Sequence, residues 1–321
     1  MDAKKSYLKP SNHIAGILLM VANAFFMSLL YVIVKILTRD FYFSSNQIGL
    51  LYKLNILVIT LLSCIKLGVV HHLKTQKLLF HALRGFFSIA GSLSMFYAVS
   101  MLKVIDAAAI SELTPAFMVL AGIIVFNEKF THPKVILLLG SFIGVIFIKD
   151  FQNFKVSTDV GYFYAFLALI FWSINNVIIK KLTKTERSRA QLFYSSLFAS
   201  LFAFPLAFFN FSYDFSNTSF DISVAEWPVF SFIGALLVIS AGVSSLLHKL
   251  TFFRAYKLSD MSVVGPFDYL RLPFTGIFAY LILGECVTGI YSLIGYGIII
   301  ASSIYFILQR KQKNIMKKLE Q

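Results

Sequence analysis

Residues 16–37 read GILLMVANAFFMSLLYVIVKIL, and residues 161–182 read GYFYAFLALIFWSINNVIIKKL. Aligned without a gap at an offset of 145 residues, the two segments share the pattern G-x9-F-x-S-x6-K-x-L. A helix of this length is about 33 Å long, which is enough to cross the roughly 30 Å hydrocarbon core of a bilayer. Two similar spanning helices, one in each half of the chain, indicate an internal repeat.

The repeat continues beyond these two helices. Four more pairs of identical residues are separated by 157 positions: Ala98 and Ala255, Glu128 and Glu285, Thr131 and Thr288, Gly140 and Gly297. The 12-residue increase in the offset matches a long acidic loop at 210–227 in the second half. The pattern therefore predicts a first unit at 14–149 and a second at 160–308.

Composition excludes a soluble protein. Hydrophobic residues make up 58% of the 321 residues and charged residues 14%, whereas soluble domains contain about 25% charged residues. The apolar segments predict ten transmembrane helices at 14–37, 47–70, 79–101, 105–126, 134–149, 160–182, 190–209, 229–250, 261–283 and 290–308. We expect an all-α, multi-pass membrane protein whose first partner is the lipid bilayer.

Charge in the predicted loops gives the orientation. Seventeen Lys and Arg residues lie on the side of the N-terminus, against four on the other side (Arg39, Lys103, Lys149 and Lys155). The positive-inside rule places both termini in the cytoplasm. The same loops account for the net charge of +14, so we expect no nucleic-acid partner. Since each unit has five helices, an odd number, the second unit enters the membrane inverted.

The predicted organisation has five parts. They are a cytoplasmic N-terminus (1–13), a first five-helix repeat (14–149), an external linker (150–159), a second repeat (160–308) and a basic cytoplasmic tail (309–321). Inverted repeats are typical of secondary transporters that move a small molecule by alternating access around a site at the membrane midplane. Glycines at 140, 144, 295 and 297 favour close packing of the fifth and tenth helices. The same small residues also suit the interface of a homodimer, so both arrangements stay open.

Four short stretches resemble a known family: FYA at 96–98, DAAAI at 106–110, PAF at 115–117 and NEK at 127–129. They are similar to the fourth-helix signature of the EamA family in the drug/metabolite transporter superfamily, and Gly284-Glu285 repeats its end. The resemblance covers 14–308. It implies a secondary transporter of the bacterial inner membrane with a cavity between helices 1, 3, 4 and 6, 8, 9.

Arg84-Gly85 and the run after Asp106 resemble the subgroup that contains S-adenosylmethionine uptake transporters of rickettsia-like bacteria. This resemblance implies uptake of S-adenosylmethionine, with exchange for S-adenosylhomocysteine as a driving force. Export of amino acids, other metabolites or drugs on the same fold is the alternative. Glu112 departs from the family pattern, which has an apolar or small residue there.

Glu112, Asp268 and Arg271 lie deep within predicted spans, where an ionisable side chain needs a partner or a polar cavity. Glu112 either faces the cavity or pairs with a neighbouring helix. Asp268 and Arg271, at i and i+3, share a helix face. They either neutralise each other, or Arg271 binds a substrate carboxylate while Asp268 and Glu112 accept its positive groups.

The other candidate site residues are Arg84, Trp172, Asn176, Tyr31 and Tyr269. Arg84 lies near the end of its span, so its side chain either snorkels to the headgroups or binds substrate. The aromatic rings offer stacking surfaces for a purine, and the Asn amide offers hydrogen bonds. Lys35 and Lys249 are expected to snorkel. Lys53, with Asn55 in the second span, is harder to explain by snorkelling, although the repeat gives no support for a cavity at that helix.

Catalytic motifs are missing from the sequence. It contains no GxSxG, HExxH or Walker A pattern and no metal-spaced Cys/His cluster. We therefore expect no enzyme activity, no cofactor and no metal, and transport driven by gradients or exchange.

Overall fold

The computed structural model describes residues 13–126, 131–148, 156–182, 185–214, 219–229, 231–258, 264–286 and 289–319. The helices in chain order are α1 (His13–Arg39), α2 (Ser45–Lys66), α3 (Leu78–Met101), α4 (Val104–Ser111), α5 (Thr114–Phe126), α6 (His132–Ile148), α7 (Val156–Leu182), α8 (Ser188–Leu206), α9 (Phe232–Leu258), α10 (Arg271–Phe278) and α11 (Gly289–Leu319). Short 3-10 segments lie at Val70–Leu73 and Gly265–Leu270, and a π-helical segment lies at Ala279–Leu283.

The chain is a helical, multi-pass membrane protein. Six of the described helices are long and apolar enough to cross a bilayer: α1, α2, α3, α7, α9 and α11. Apolar α6 is shorter, at 17 residues. The count of ten spans and the cytoplasmic position of the termini stay predictions.

The predicted fourth and ninth spans are not continuous helices. In the fourth, α4 ends at Ser111 and α5 begins at Thr114, so Glu112 lies in a turn between them. The ninth changes from a 3-10 segment to α10 at Arg271 and then to π-helix at Ala279. Pro115 follows the first break, and a proline has no N–H to donate to the preceding turn. Equivalent spans of the two predicted repeats are thus interrupted near an ionisable residue.

Helix pairing is reciprocal between the two halves. The most extensive interfaces join α1 to α9 and α3 to α7, and further interfaces join α6 to α11 and α2 to α8. Gly144 and Gly295 bring α6 and α11 together, since a Cβ at Gly295 would lie 2.5 Å from the carbonyl oxygen of Gly144. These two glycines therefore serve packing within the chain, whereas a Cβ at Gly297 would meet open space.

The predicted acidic loop at 210–227 contains a β-hairpin. Strands β1 (Phe209–Asp214) and β2 (Ser219–Val224) pair antiparallel, with Phe211 opposite Ile222. Aromatic and β-branched residues at alternate positions favour strands. The hairpin is attached to the start of α2, where the Asn46 side chain donates to the Phe209 carbonyl (2.9 Å) and that of Gln47 to the Glu226 carbonyl (3.0 Å).

The expectation that Lys35 snorkels to the headgroups is wrong. Its Nζ donates to the carbonyl oxygens of Val99, Ser100 and Leu102 at 2.9–3.0 Å, so it caps the C-terminal end of α3. The last carbonyl groups of a helix have no partner within the helix, and a cation satisfies them well.

Glu285 serves the neighbouring helix start. Its Oε2 accepts a hydrogen bond from the Val104 N–H (2.8 Å) at the beginning of α4, and its Oε1 lies 4.0 Å from Lys35 Nζ. Glu285 therefore caps a helix in the other half of the chain. Glu128, its predicted repeat partner, lies outside the described residues.

We expect Lys35→Met to lower the stability of the purified protein, because it leaves three carbonyl groups uncapped. Unsatisfied buried polar groups cost about 1–3 kcal/mol each, so the midpoint of thermal unfolding in detergent should fall by several degrees. Lys66→Met is the matched control, because Lys66 is exposed in the last turn of α2. An equal midpoint for both variants would contradict the capping role.

Candidate functional site

The two interrupted spans meet at a buried ion pair. Arg271 Nε donates to Glu112 Oε1 at 2.7 Å, and the two residues are 8% and 2% exposed. Glu112 follows the last residue of α4, and Arg271 is the first residue of α10. The pair joins positions 159 residues apart, one in each half of the chain.

The pairing distinguishes between the two interpretations of Asp268 and Arg271. Arg271 hydrogen-bonds to Glu112, and Asp268 Oδ1 accepts a hydrogen bond from Asn23 Nδ2 at 2.7 Å. Asn23 is fully buried on α1, whereas Asp268 is half-buried. Asp268 and Arg271 are therefore held by different partners, and Glu112 already bonds to the Nε of the guanidinium to which one interpretation assigned the substrate carboxylate.

Polar side chains of α1 also satisfy the backbone at the second break. The hydroxyl oxygen of Ser28 lies 2.9 Å from the carbonyl oxygen of Arg271 and accepts a hydrogen bond from Thr275 at 2.9 Å. Irregular backbone is tolerated at membrane depth where side chains or a cavity satisfy it. Asn23 and Ser28 thus attach α1 to the interrupted ninth span.

Two of the predicted aromatic residues lie at the ion pair. Tyr31 is fully buried, within electrostatic range of Arg271, Glu112 and Asp268, and Tyr269 is within range of the same three charges. The Tyr31 hydroxyl lies beside Ser111, the last residue of α4, without a well-aligned hydrogen bond in the part of the chain that the structure describes. The hydroxyl thus lies at the break in the fourth span, next to the ion pair.

The other aromatic candidate lies against a different helix. The Trp172 indole packs on Gly91 of α3, where a Cβ would come within 2.5 Å of the ring. Asn176 is half-buried four residues further along α7. These two residues therefore line the α3–α7 interface.

Arg84 does not snorkel. It is 5% exposed, and its Nη1 donates to the backbone and side-chain oxygens of Gln191 on α8 at 2.9 and 3.1 Å. The charges of Lys53 on α2 and Lys249 on α9 lie within electrostatic range of it. The eight candidate residues thus fall into a group around Glu112–Arg271 and a second region between α2, α3, α7 and α9.

Sequence reasoning missed part of both regions. Asn23 was visible only as an amide in an apolar helix, and Ser88, which accepts a hydrogen bond from Lys53 at 2.8 Å, carried no signal. Lys249 was expected to snorkel but is half-buried in the bundle. Arg84, Trp172 and Asn176, which were candidates from the sequence, lie in the second region, and Lys53 was a further charged residue in the middle of a predicted span.

Two curated relatives are transporters of about the same length. The chain is 25% identical over 248 residues to an S-adenosylmethionine uptake transporter of Rickettsia prowazekii, which covers 77% of this chain and 78% of the relative. It is 26% identical over 291 residues to a riboflavin transporter of Vibrio cholerae, which covers 85% and 90%.

A third relative is a pseudopaline exporter of Pseudomonas aeruginosa, 25% identical over 193 residues, or 59% of this chain and 61% of the relative. One solved crystal structure superimposes with a TM-score of 0.60 at 15% identity, over 93% of this chain and 98% of the other, which supports the fold alone.

The model of the EamA-like transporter family matches twice, at residues 14–149 and 159–308. Family members and named relatives are transporters, not enzymes. Because the two matches cover nearly the whole chain, the protein belongs to the EamA-like transporter family.

Proposed function

We propose that the protein is a secondary active transporter of the bacterial inner membrane that works by alternating access. In this proposal ten spans form two inverted five-helix units, 14–149 and 160–308, with both termini in the cytoplasm. The reciprocal pairing of α1 with α9 and of α3 with α7 supports the proposal, because a two-fold relation between the halves produces such pairs. The double match of the family model supports it as well.

The observation that carries the function is the buried Glu112–Arg271 pair between two interrupted spans. Interrupted helices next to an intramembrane charge form the substrate sites of many transporters. A buried ion pair loses much of its Coulomb energy to desolvation, so a charged substrate competes with either partner at modest cost. Breaking and re-forming this pair links substrate binding to movement of the two halves.

In this proposal the substrate is S-adenosylmethionine, and its uptake is driven by exchange with S-adenosylhomocysteine. The named Rickettsia relatives support this choice. So does the chemistry of the site, because Glu112 and Asp268 suit the sulfonium and ammonium groups. The rings of Tyr31, Tyr269 and Trp172 suit adenine, with Asn176 beside them. Since Glu112 holds Arg271, the substrate carboxylate either displaces Glu112 or binds another cation.

Export is the second candidate, because one relative is named as an exporter and another transports riboflavin. The fold allows uptake as well as export, and the direction of net transport depends on the concentration gradients of the transported molecules. The proposal includes a homodimer because a Cβ at Gly297 would meet open space, which leaves this helix face free to pack against a second copy.

Uptake of radiolabelled S-adenosylmethionine by cells that express the chain tests the substrate. We expect saturable uptake that S-adenosylhomocysteine inhibits, and faster uptake into cells preloaded with S-adenosylhomocysteine. Wild-type protein that inserts fully but takes up no label would contradict the substrate proposal and favour export.

We expect Glu112→Gln and Arg271→Met each to lower initial uptake about tenfold or more, because truncating one partner of a buried pair costs about 2–5 kcal/mol. Glu226→Gln is the control, since Glu226 is exposed outside the spans. The charge swap Glu112→Arg/Arg271→Glu should restore insertion but not uptake, because the substrate would meet each charge from the wrong helix. Full uptake by the swap would reduce the pair to a structural role.

The native cysteines test orientation. Cys64 is buried and Cys286 is exposed beside the end of the ninth predicted span. A membrane-impermeant maleimide should label wild-type protein in intact cells through Cys286. Lys74→Cys in a Cys286→Ser background should react only after permeabilisation. The reverse labelling pattern would invert the proposed topology.

A further inference from the structure

Three cations from three helices share the second region of the bundle. Lys53 on α2 is 2% exposed, Arg84 on α3 is 5% exposed, and Lys249 on α9 is half-buried. Arg84 and Ser88, the partner of Lys53, are i and i+4 on α3 and so share a helix face. Helix α9 packs on α2 at Asn55, whose side chain donates to the Val238 carbonyl at 3.2 Å.

These cations are poorly satisfied by the protein. The Lys53 ammonium has three donors; in the described part of the chain it has one hydrogen-bond acceptor, Ser88 Oγ at 2.8 Å, and it lies 4.8 Å from the centre of the adjacent Tyr52 ring. Arg84 bonds to Gln191 through Nη1, but its buried Nε has no acceptor among the residues that the structure describes. Lys249 has neither a hydrogen bond nor an ion pair among the described residues.

Glu186 is a carboxylate near the N-terminal end of α3, and it is held by other groups: it lies 3.7 Å from His81 Nε2 and accepts a hydrogen bond from Thr75 at 2.9 Å. The groups that act electrostatically on Lys53 are the two other cations. Positive charges that share a low-dielectric bundle repel one another, and a bound anion relieves that repulsion. An aromatic wall adjoins them, because the Trp172 ring lies on Gly91, three residues beyond Ser88.

We propose that Lys53, Arg84 and Lys249 form a subsite for the anionic group of the transported molecule, a carboxylate or another oxyanion. The subsite rests on the proposed transport function and completes it. Glu112 already bonds to Arg271 Nε, so a zwitterionic substrate places its carboxylate on these three cations and its sulfonium, which is several bonds away, toward Asp268. Trp172, between α3 and α7, is then available to the planar part of the molecule.

Equilibrium binding to the purified full-length protein tests the subsite. Radiolabelled S-adenosylmethionine is competed with the unlabelled compound and with the same molecule lacking its carboxylate. We expect the decarboxylated compound to compete about tenfold more weakly on wild-type protein, because it loses charge-assisted hydrogen bonds. In Lys53→Met and in Lys249→Met the two compounds should displace the label at nearly equal concentrations.

The matched controls separate binding from folding. Lys66→Met removes an exposed charge from the last turn of the same helix as Lys53 and should keep the tenfold discrimination. Lys53→Arg should keep most of it, because the positive charge remains. Lys249 has no bond to another described residue, so its variant should elute as a monodisperse peak even if Lys53→Met does not. Discrimination that survives in Lys249→Met would overturn the proposal.

A second arm keeps the subsite testable if wild-type protein binds no S-adenosylmethionine. Thermal unfolding is then compared in inorganic phosphate and in chloride of equal ionic strength. Stabilisation by phosphate that Lys249→Met abolishes would support the subsite while the substrate proposal fails. No phosphate effect together with no S-adenosylmethionine binding would refute both.

A third arm distinguishes a lipid headgroup from a transported anion. Wild-type protein is reconstituted in phosphatidylglycerol and in phosphatidylcholine. Stabilisation that depends on Lys249 and occurs only with phosphatidylglycerol, without phosphate or substrate effects, would assign the cations to lipid and overturn the proposal.

Discussion

The hydrogen-bonded ion pair between Glu112 and Arg271 is the constraint on which the arrangement of the two halves depends. Each residue lies at an interruption of a helix, and neither charge is tolerable at that depth without the other. The pair therefore requires the two interrupted spans to face each other. Ser28 and Asn23 extend the same contact to α1, because they bond to the Arg271 carbonyl oxygen and to Asp268.

Unsatisfied backbone groups explain several charged residues that look superfluous in a membrane protein. Lys35 caps the end of α3, and Glu285 caps the beginning of α4, which belongs to the other half of the chain. Without water, a helix end in or near the bilayer must find its partners in the protein. Some of the intramembrane charge is thus structural, and the charges without a partner among the described residues are the ones to which the proposals above assign a ligand.

Charge is divided within the bundle. The acidic groups Glu112 and Asp268 lie with Arg271 on one side, and the cations Lys53, Arg84 and Lys249 lie together on another. Such a separation suits a molecule that carries both signs of charge and a planar ring. Single residues in the sequence therefore do not identify the substrate, because the role of each charged residue depends on its partners on the neighbouring helices.

The sequence by itself determined the membrane class, the helical segments and the similarity of the two halves. Hydropathy and constant offsets are local properties of the chain, and a bilayer permits few other structures for such segments. It also identified Glu112, Arg271 and Asp268 as residues that need partners. Only the tertiary structure decided which partners they have: Arg271 joined Glu112, 159 residues away, rather than Asp268 three residues away. It likewise turned Lys35 into a helix cap and placed Lys53 beside Ser88, because contacts between distant helices depend on packing that spacing along one helix does not specify.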